Sequence, residues 1–333
     1  MYLSDKLKEF LLACQGKEVS LKYLREELRL EHGTPAWDGI RQQMINLAKE
    51  KVVKPSGRND GVYKVITQVK PVRVFHPDRK RRPPFDLIFP RNFDTGMEMD
   101  FAEDVIIREG DLVLLSGVKN KSKTLQAMSF CGENVDRSPV LMGNEYTTLD
   151  DPPKPSSRFY NRMCDMDWIE WVDSNGYDKF ELLPVRGDYA EHIVKDRINI
   201  IDWINIDANQ LFTISKVLED IKKELGSGIA IVALQKGEGA GAGRGGQFTK
   251  DFTDCELLLD GFGKNDKDIL LTVGEVKESN RRVNGRTFTY TVDNMGVKIL
   301  NFREVVKCSS CRGQGFTKGG ECDECFGTKY VDK

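Results

Sequence analysis

Apolar residues recur over the first 67 positions with a period near 3.6. In LSDKLKEFLLAC they fall at Leu7, Phe10, Leu11 and Cys14, one stripe of a helix. SLKYLREELRL turns Leu21, Leu24 and Leu28 inward behind Ser20, an N-cap. TPAWDGIRQQMINLAKEKVV opens with Thr34 as cap and Pro35 at the first helical position, where proline's missing N–H costs no hydrogen bond. Ile40, Met44 and Leu47 face a core from this third helix, and Arg41, Gln42, Asn46 and Lys49 face outward. VVKPSGRNDGVYKVI then predicts two short strands around a turn at Asn59-Asp60-Gly61.

The pattern changes between residues 85 and 305. DLVLLSG is a continuous apolar run, a buried strand, and KTLQAMSFC starts a helix directly from the loop behind it. PVLMGNE predicts a strand, RFYNRMCDMDWIEWV an amphipathic helix, and KFELLPV and RINIIDWINI further strands. NQLFTISKVLEDIKKEL reads as a helix stopped by Gly226. GIAIVALQ, DCELLLDG, DILLTVGEV and TFTYTVDN complete the set. Apolar strands separated by helices imply an α/β fold with a mostly parallel sheet covered on both faces. The last strands follow one another closely and predict an antiparallel edge.

Helix, helix, helix and hairpin at 1–67 looks like a winged helix-turn-helix. That likeness would carry Arg41, Gln42 and Gln43 toward a major groove and present Lys54 and Arg58 to phosphates. A winged helix used only for protein contacts fits the same pattern. Residues 68–84, QVKPVRVFHPDRKRRPP, read as a basic, proline-containing linker whose RKRR cluster is either solvated or a phosphate contact.

Composition narrows the class. The chain has 333 residues, 39% of them hydrophobic and 31% charged, as in soluble globular proteins. No apolar run is long enough to span a bilayer, and MYLSDKLKEFLLACQGKEVS is not patterned as a signal peptide. Cys14, Cys131, Cys164 and Cys255 are scattered singly, which suits reduced thiols and a cytoplasmic setting. With a net charge of −2, nucleic acid would have to be held by local basic patches.

SGVKNKSKT approaches the phosphate-loop pattern G-x-x-x-x-G-K-[ST] from Gly117 to Thr124, with Ser122 where the second glycine is expected. Strand, loop and helix in succession aim backbone N–H groups at an anion. Lys123 would meet the β- and γ-phosphates of ATP, and Thr124 would hold Mg²⁺. Asp202, ending an apolar strand, is placed for the same ion. Glu145 is placed to polarise an attacking water, and Gln235 to sense the γ-phosphate. Ser122 adds a Cβ and a hydroxyl where glycine would keep the backbone open, so it bears on rate more than on binding.

Lysine loop, glutamate, aspartate, glutamine and a Gly-rich stretch occur in the order found in RecA-like ATPases. The chain resembles most closely the ATPase domain of DnaB-type replicative helicases. The resemblance implies that Lys277 with Arg281 (or Arg282), in VGEVKESNRR, reaches the nucleotide of a neighbouring subunit in a ring or filament. It also implies that QKGEGAGAGRGGQFTKDFTD faces single-stranded DNA, with Lys236, Arg244 and Lys250 supplying charge. The function so implied is a DNA-associated ATPase of replication or recombination, a helicase, loader or related motor working with replication proteins. A DNA-binding regulator or adaptor with a degenerate loop, binding nucleotide without efficient hydrolysis, fits the same residues.

The tail, 306–333, carries CSSCRGQGFTKGGECDECFG. Cys308 and Cys311, then Cys322 and Cys325, form two C-x-x-C knuckles with ten residues between them. Four thiolates at this spacing predict a tetrahedral Zn²⁺ ribbon. The first knuckle is similar to the C-x-x-C-x-G-x-G repeat of DnaJ-type chaperones.

Overall fold

The structure, a computed structural model of the chain, describes all residues except 1–2, 58–60, 68–70, 72–73, 76–79, 144 and 205–212. Arg58, Asn59 and Asp60 of the expected hairpin turn, and much of the 68–84 linker, therefore lie outside the described residues. The chain divides into two compact units, Met1–Arg81 and Arg82–Lys333.

The first unit contains α1 (Leu3–Ala13), β1 (Glu18–Ser20), α2 (Leu21–Glu27), α3 (Pro35–Lys49), β2 (Val53–Pro55) and β3 (Val62–Val65). Both helix starts form as their caps require. The Ser20 hydroxyl accepts from the Tyr23 N–H at 3.0 Å, and Thr34 accepts from Trp37 at 3.3 Å. Leu7, Leu11, Leu24, Ile40, Met44 and Leu47 close one core with Val19, Val53 and Val65. The short β1 has no counterpart in the sequence reading. It pairs with β3 and makes a three-stranded sheet in the order β1-β3-β2.

The second unit is built on a ten-stranded sheet. Its parallel half comprises β4 (Leu112–Gly117), β5 (Val140–Gly143), β6 (Glu181–Leu183), β7 (Ile198–Asp202), β8 (Ile229–Gln235) and β9 (Cys255–Gly261). The antiparallel half comprises β10 (Asp268–Val276), β11 (Thr287–Val292), β12 (Ile299–Lys307) and β15 (Tyr330–Asp332). Strand order is β15-β12-β11-β10-β9-β4-β8-β7-β5-β6, which places β4 inside the sheet between β8 and β9. β13 (Phe316–Thr317) and β14 (Gly320–Glu321) form a separate two-stranded ribbon.

Burial on both faces explains the unbroken apolar runs. In β4, Val113 and Leu115 point to one core, together with Leu125, Met128 and Phe130 of α4 (Lys123–Glu133). Leu112 and Leu114 point to the other, with Ile214, Leu218 and Ile221 of α6 (Ile214–Glu224). Gly226, at φ +64°, follows α6 in the left-handed conformation that ends helices.

Two sequence expectations need correction. The helix expected over 158–172 is α5 (Ser157–Asp165) and stops early. Asp165 and Asp167 set negative charge at the negative end of the helix dipole, and the Trp171 indole donates to the Met163 carbonyl at 3.0 Å, turning the chain back. The antiparallel edge is also wider than expected, because Ile299–Lys307 forms β12. Counting the four-residue α7 (Gln247–Lys250), the described residues hold seven α-helices.

Candidate functional site

The 118–122 loop leaves β4 at its C-terminal end, the edge at which open α/β sheets place their ligands. Gly117 is required there: a Cβ would lie 2.6 Å from Cγ of Lys123, whose side chain folds back over the loop. The Lys123 ammonium donates to the carbonyls of Gly117 at 3.0 Å and Val118 at 2.9 Å. Burial lowers its pKa, while the charges of Asp202 and Glu145 oppose that shift. Asn120 and Ser122 both adopt left-handed conformations, at φ +60° and +53°. Ser122 therefore carries the conformational cost that a glycine avoids, ~1–2 kcal/mol.

Asp202 ends β7 and is only 4% exposed. Its Oδ2 accepts from the Tyr146 hydroxyl at 2.8 Å, and its Oδ1 is buried without a hydrogen-bond partner. Burial raises its pKa; the Tyr146 and Thr124 hydroxyls and Lys123 pull the other way, and Glu145 adds to the rise. Gly143 at the end of β5 makes room for this pair, since a Cβ would sit 2.8 Å from the Tyr146 ring.

A cavity of about 710 Å³ opens over the loop. Lys119 to Leu125 line it, with Glu145 from behind β5 and Gln235 from the end of β8. The structure thus gathers Gly117, Ser122, Lys123, Thr124, Glu145, Gln235 and Asp202 at one edge of the sheet, from segments far apart in sequence. It adds residues that the sequence did not mark. Arg158 and Arg162 reach the cavity from α5, and Trp203 from behind β7. The i,i+4 spacing of the two arginines on a polar helix face was visible, but nothing in it names the cavity. Lys267, Ile269 and Val292 close the far side.

The Gly-rich segment departs from its expected role in part. Lys236 is 3% exposed and ion-paired with Asp260 at 2.6 Å, so its ammonium is not presented to solvent. Arg244 lines the cavity over the loop. Gly243 lies against β4, where a Cβ would be 2.8 Å from the Ser116 hydroxyl.

Lys277 and Arg281 do not line this cavity. Lys277 pairs with Asp254 at 2.9 Å, and Asp254 accepts from the Leu112 N–H at 2.8 Å. That cluster sits at the start of β4, about 17 Å of strand from the loop. Arg281 approaches Asp104 at 3.8 Å.

The cysteine tail forms its own site. The sulfurs of Cys308, Cys311, Cys322 and Cys325 lie within 4.8 Å of one another, all buried, and could hold a metal ion. Cys308 and Cys322 are 3.8 Å apart, Cys311 and Cys325 3.6 Å. Zn–S bonds of about 2.3 Å in a tetrahedron require S···S edges of about 3.8 Å, so the cage fits Zn²⁺. Each knuckle is followed by two left-handed residues, Arg312-Gly313 and Phe326-Gly327. This repeated turn curls the backbone around the thiols and aims N–H groups at them. Although burial opposes it, the Gly315 N–H, 3.2 Å from the Cys311 sulfur, and neighbouring thiols bring the Cys311 pKa down to about 6. Burial, together with the same contacts between thiols, pushes Cys308 and Cys325 up, so without a metal the cage favours a thiolate at Cys311 rather than at all four. All eight cysteines are free thiols.

The chain matches no protein-family model, and no curated protein is significantly similar to it. Among the described residues no helix is long and apolar enough to cross a membrane.

Proposed function

We propose that the chain is a DNA-associated, RecA-like P-loop ATPase, with a winged helix at residues 1–67 and a structural Zn²⁺ ribbon at the C-terminus. One observation carries the reading: Lys123, Thr124, Asp202, Glu145 and Gln235 converge at the C-terminal ends of β4, β5, β7 and β8. Thr124 and the unpartnered Oδ1 of Asp202 are oxygen donors of the type Mg²⁺ takes. Bound with the nucleotide, Mg²⁺ would neutralise charge on the phosphates.

In this reading Lys123 exchanges its two loop carbonyls for phosphate oxygens. Glu145, exposed at the mouth of the cavity, accepts a hydrogen bond from the attacking water. Gln235 registers the terminal phosphate at the point where β8 enters the Gly-rich segment. Arg158 and Arg244 add positive charge from the same chain. Lys277 and Arg281, remote from their own loop, act on the nucleotide of a second copy in a ring or filament. Arg41 and Gln42, exposed on α3, and Lys54 on β2 supply the contacts to duplex DNA. A cytoplasmic setting suits the free thiols.

ATP turnover with and without single-stranded DNA tests this. DNA-stimulated hydrolysis, lowered about 10²–10³-fold in Lys123→Ala, is expected; a native protein that binds no Mg-ATP overturns it. The alternative of a nucleotide-binding regulator draws on the left-handed Ser122. Turnover by Ser122→Gly alone, with the native chain binding but silent, would establish that second reading.

A further inference from the structure

Ser122 does not stand alone in its strained conformation. Its hydroxyl lies 2.6 Å from the hydroxyl of Tyr290 on β11, and Gln126 Nε2 donates to the same Tyr290 oxygen at 2.9 Å. Tyr290 is fully buried, as is Gln126. Their three groups form a short chain running from the interior of the sheet to the loop.

The protons in this chain can be counted. Tyr290 receives a hydrogen bond from Gln126, so its own proton must find an acceptor. Gln126 Oε1 has no partner, and Ser122 Oγ is within reach. Either hydroxyl can donate across this contact; donation by Tyr290 is the direction that gives its proton an acceptor, Ser122 Oγ. In that direction the Ser122 proton is free for another acceptor, on a residue that lines the cavity.

Resting on the nucleotide-site reading above, we propose that Gln126, Tyr290 and Ser122 form a hydroxyl relay that replaces the missing glycine. Tyr290 holds Ser122 in the left-handed conformation and makes its hydroxyl a donor to a phosphate oxygen of the bound nucleotide. A glycine leaves the loop open for backbone N–H contacts alone; this loop trades that openness for one side-chain donor. Tyr290 is a positioning residue that acts through Ser122.

A double-mutant cycle tests the relay, with Mg-ATP affinity measured by calorimetry and folding checked by the thermal midpoint without nucleotide. Tyr290→Phe, which removes only the hydroxyl, is expected to weaken Mg-ATP about 3- to 10-fold. Ser122→Ala keeps the Cβ without the hydroxyl and is expected to lose at least as much. Ser122→Gly removes the hydroxyl through which Tyr290 acts, so adding Tyr290→Phe to it changes affinity no further. Equal losses from Tyr290→Phe in the serine and glycine backgrounds would reduce Tyr290 to a packing role and overturn the relay. Native-like affinity in both Tyr290→Phe and Ser122→Ala would overturn it as well. If the native chain binds no Mg-ATP at all, the nucleotide-site reading fails and takes the relay with it.

Discussion

The loop cavity and the cysteine cage are assembled in opposite ways. The cage draws its four ligands from a single stretch between Cys308 and Cys325, and its second turn repeats its first. The cavity draws on segments from Lys119 to Gly296, brought together only because β4 lies between β8 and β9. A local site depends on its ligands and its turns. A dispersed one depends on the whole sheet, and its polar groups carry the cost of that burial, as Asp202 does.

The largest effect that would sharpen this contrast is metal removal. Structural zinc is worth about 10–16 kcal/mol of apparent binding free energy. Purified protein is expected to hold one zinc per chain by elemental analysis. Cys311→Ser or a strong chelator should open residues 308–329 to protease while leaving the sheet protected. Unfolding of both together would break the comparison.

Next in size is Lys123→Ala, expected to lower ATP turnover by about 10²–10³-fold without releasing zinc. Mixing it with Lys277→Ala should restore part of the turnover if the two residues serve one site from different copies. No rescue at any mixing ratio would keep Lys277 in its ion pair with Asp254 and nothing more.

A smaller effect comes from Asp202. Its folded pKa is raised by burial, so in the window above the ordinary carboxylate value the native state binds more protons than the unfolded state. Stability then falls as pH rises through that window, and at neutral pH the ionised group is a burden. Asp202→Asn should stabilise the nucleotide-free chain at neutral pH by on the order of 1 kcal/mol. That gain should shrink toward zero as pH falls to the normal aspartate range, while Mg-ATP binding is lost. A denaturant midpoint followed against pH reads it; a gain independent of pH would deny Asp202 its charge.

The smallest expected effect is on duplex DNA. Arg41→Ala should weaken binding a few-fold and reduce the salt slope by about 1. An unchanged slope would leave α3 to protein contacts.

What could be read in advance follows the same division. Leu7, Ile40 and Met44 announced their core because each helix buries one stripe. The cage was legible because its spacing is its geometry. β12 is not legible in the sequence, because Asn301, Arg303 and Glu304 interrupt its apolar residues on a strand covered mostly on one face. Arg158 and Trp203 carry no such signal, because only the folded topology brings them to the loop. Tyr290 is 168 residues from Ser122, and no periodicity links a strand tyrosine to a loop serine.

The pairing of β15 with β12 has a further consequence. Val305 to Lys307 pair with Asp332 to Tyr330, the strand that directly follows the second knuckle, while Phe93 and Asp94 bond to Ile299 and Asn301 farther along β12. A sheet edge with bare N–H and C=O groups invites another chain to add to it. The cysteine knuckles precede the short strand that denies this invitation at one end of the sheet. How well the cysteine tail is folded thus decides whether that edge of the sheet is covered or open to another chain.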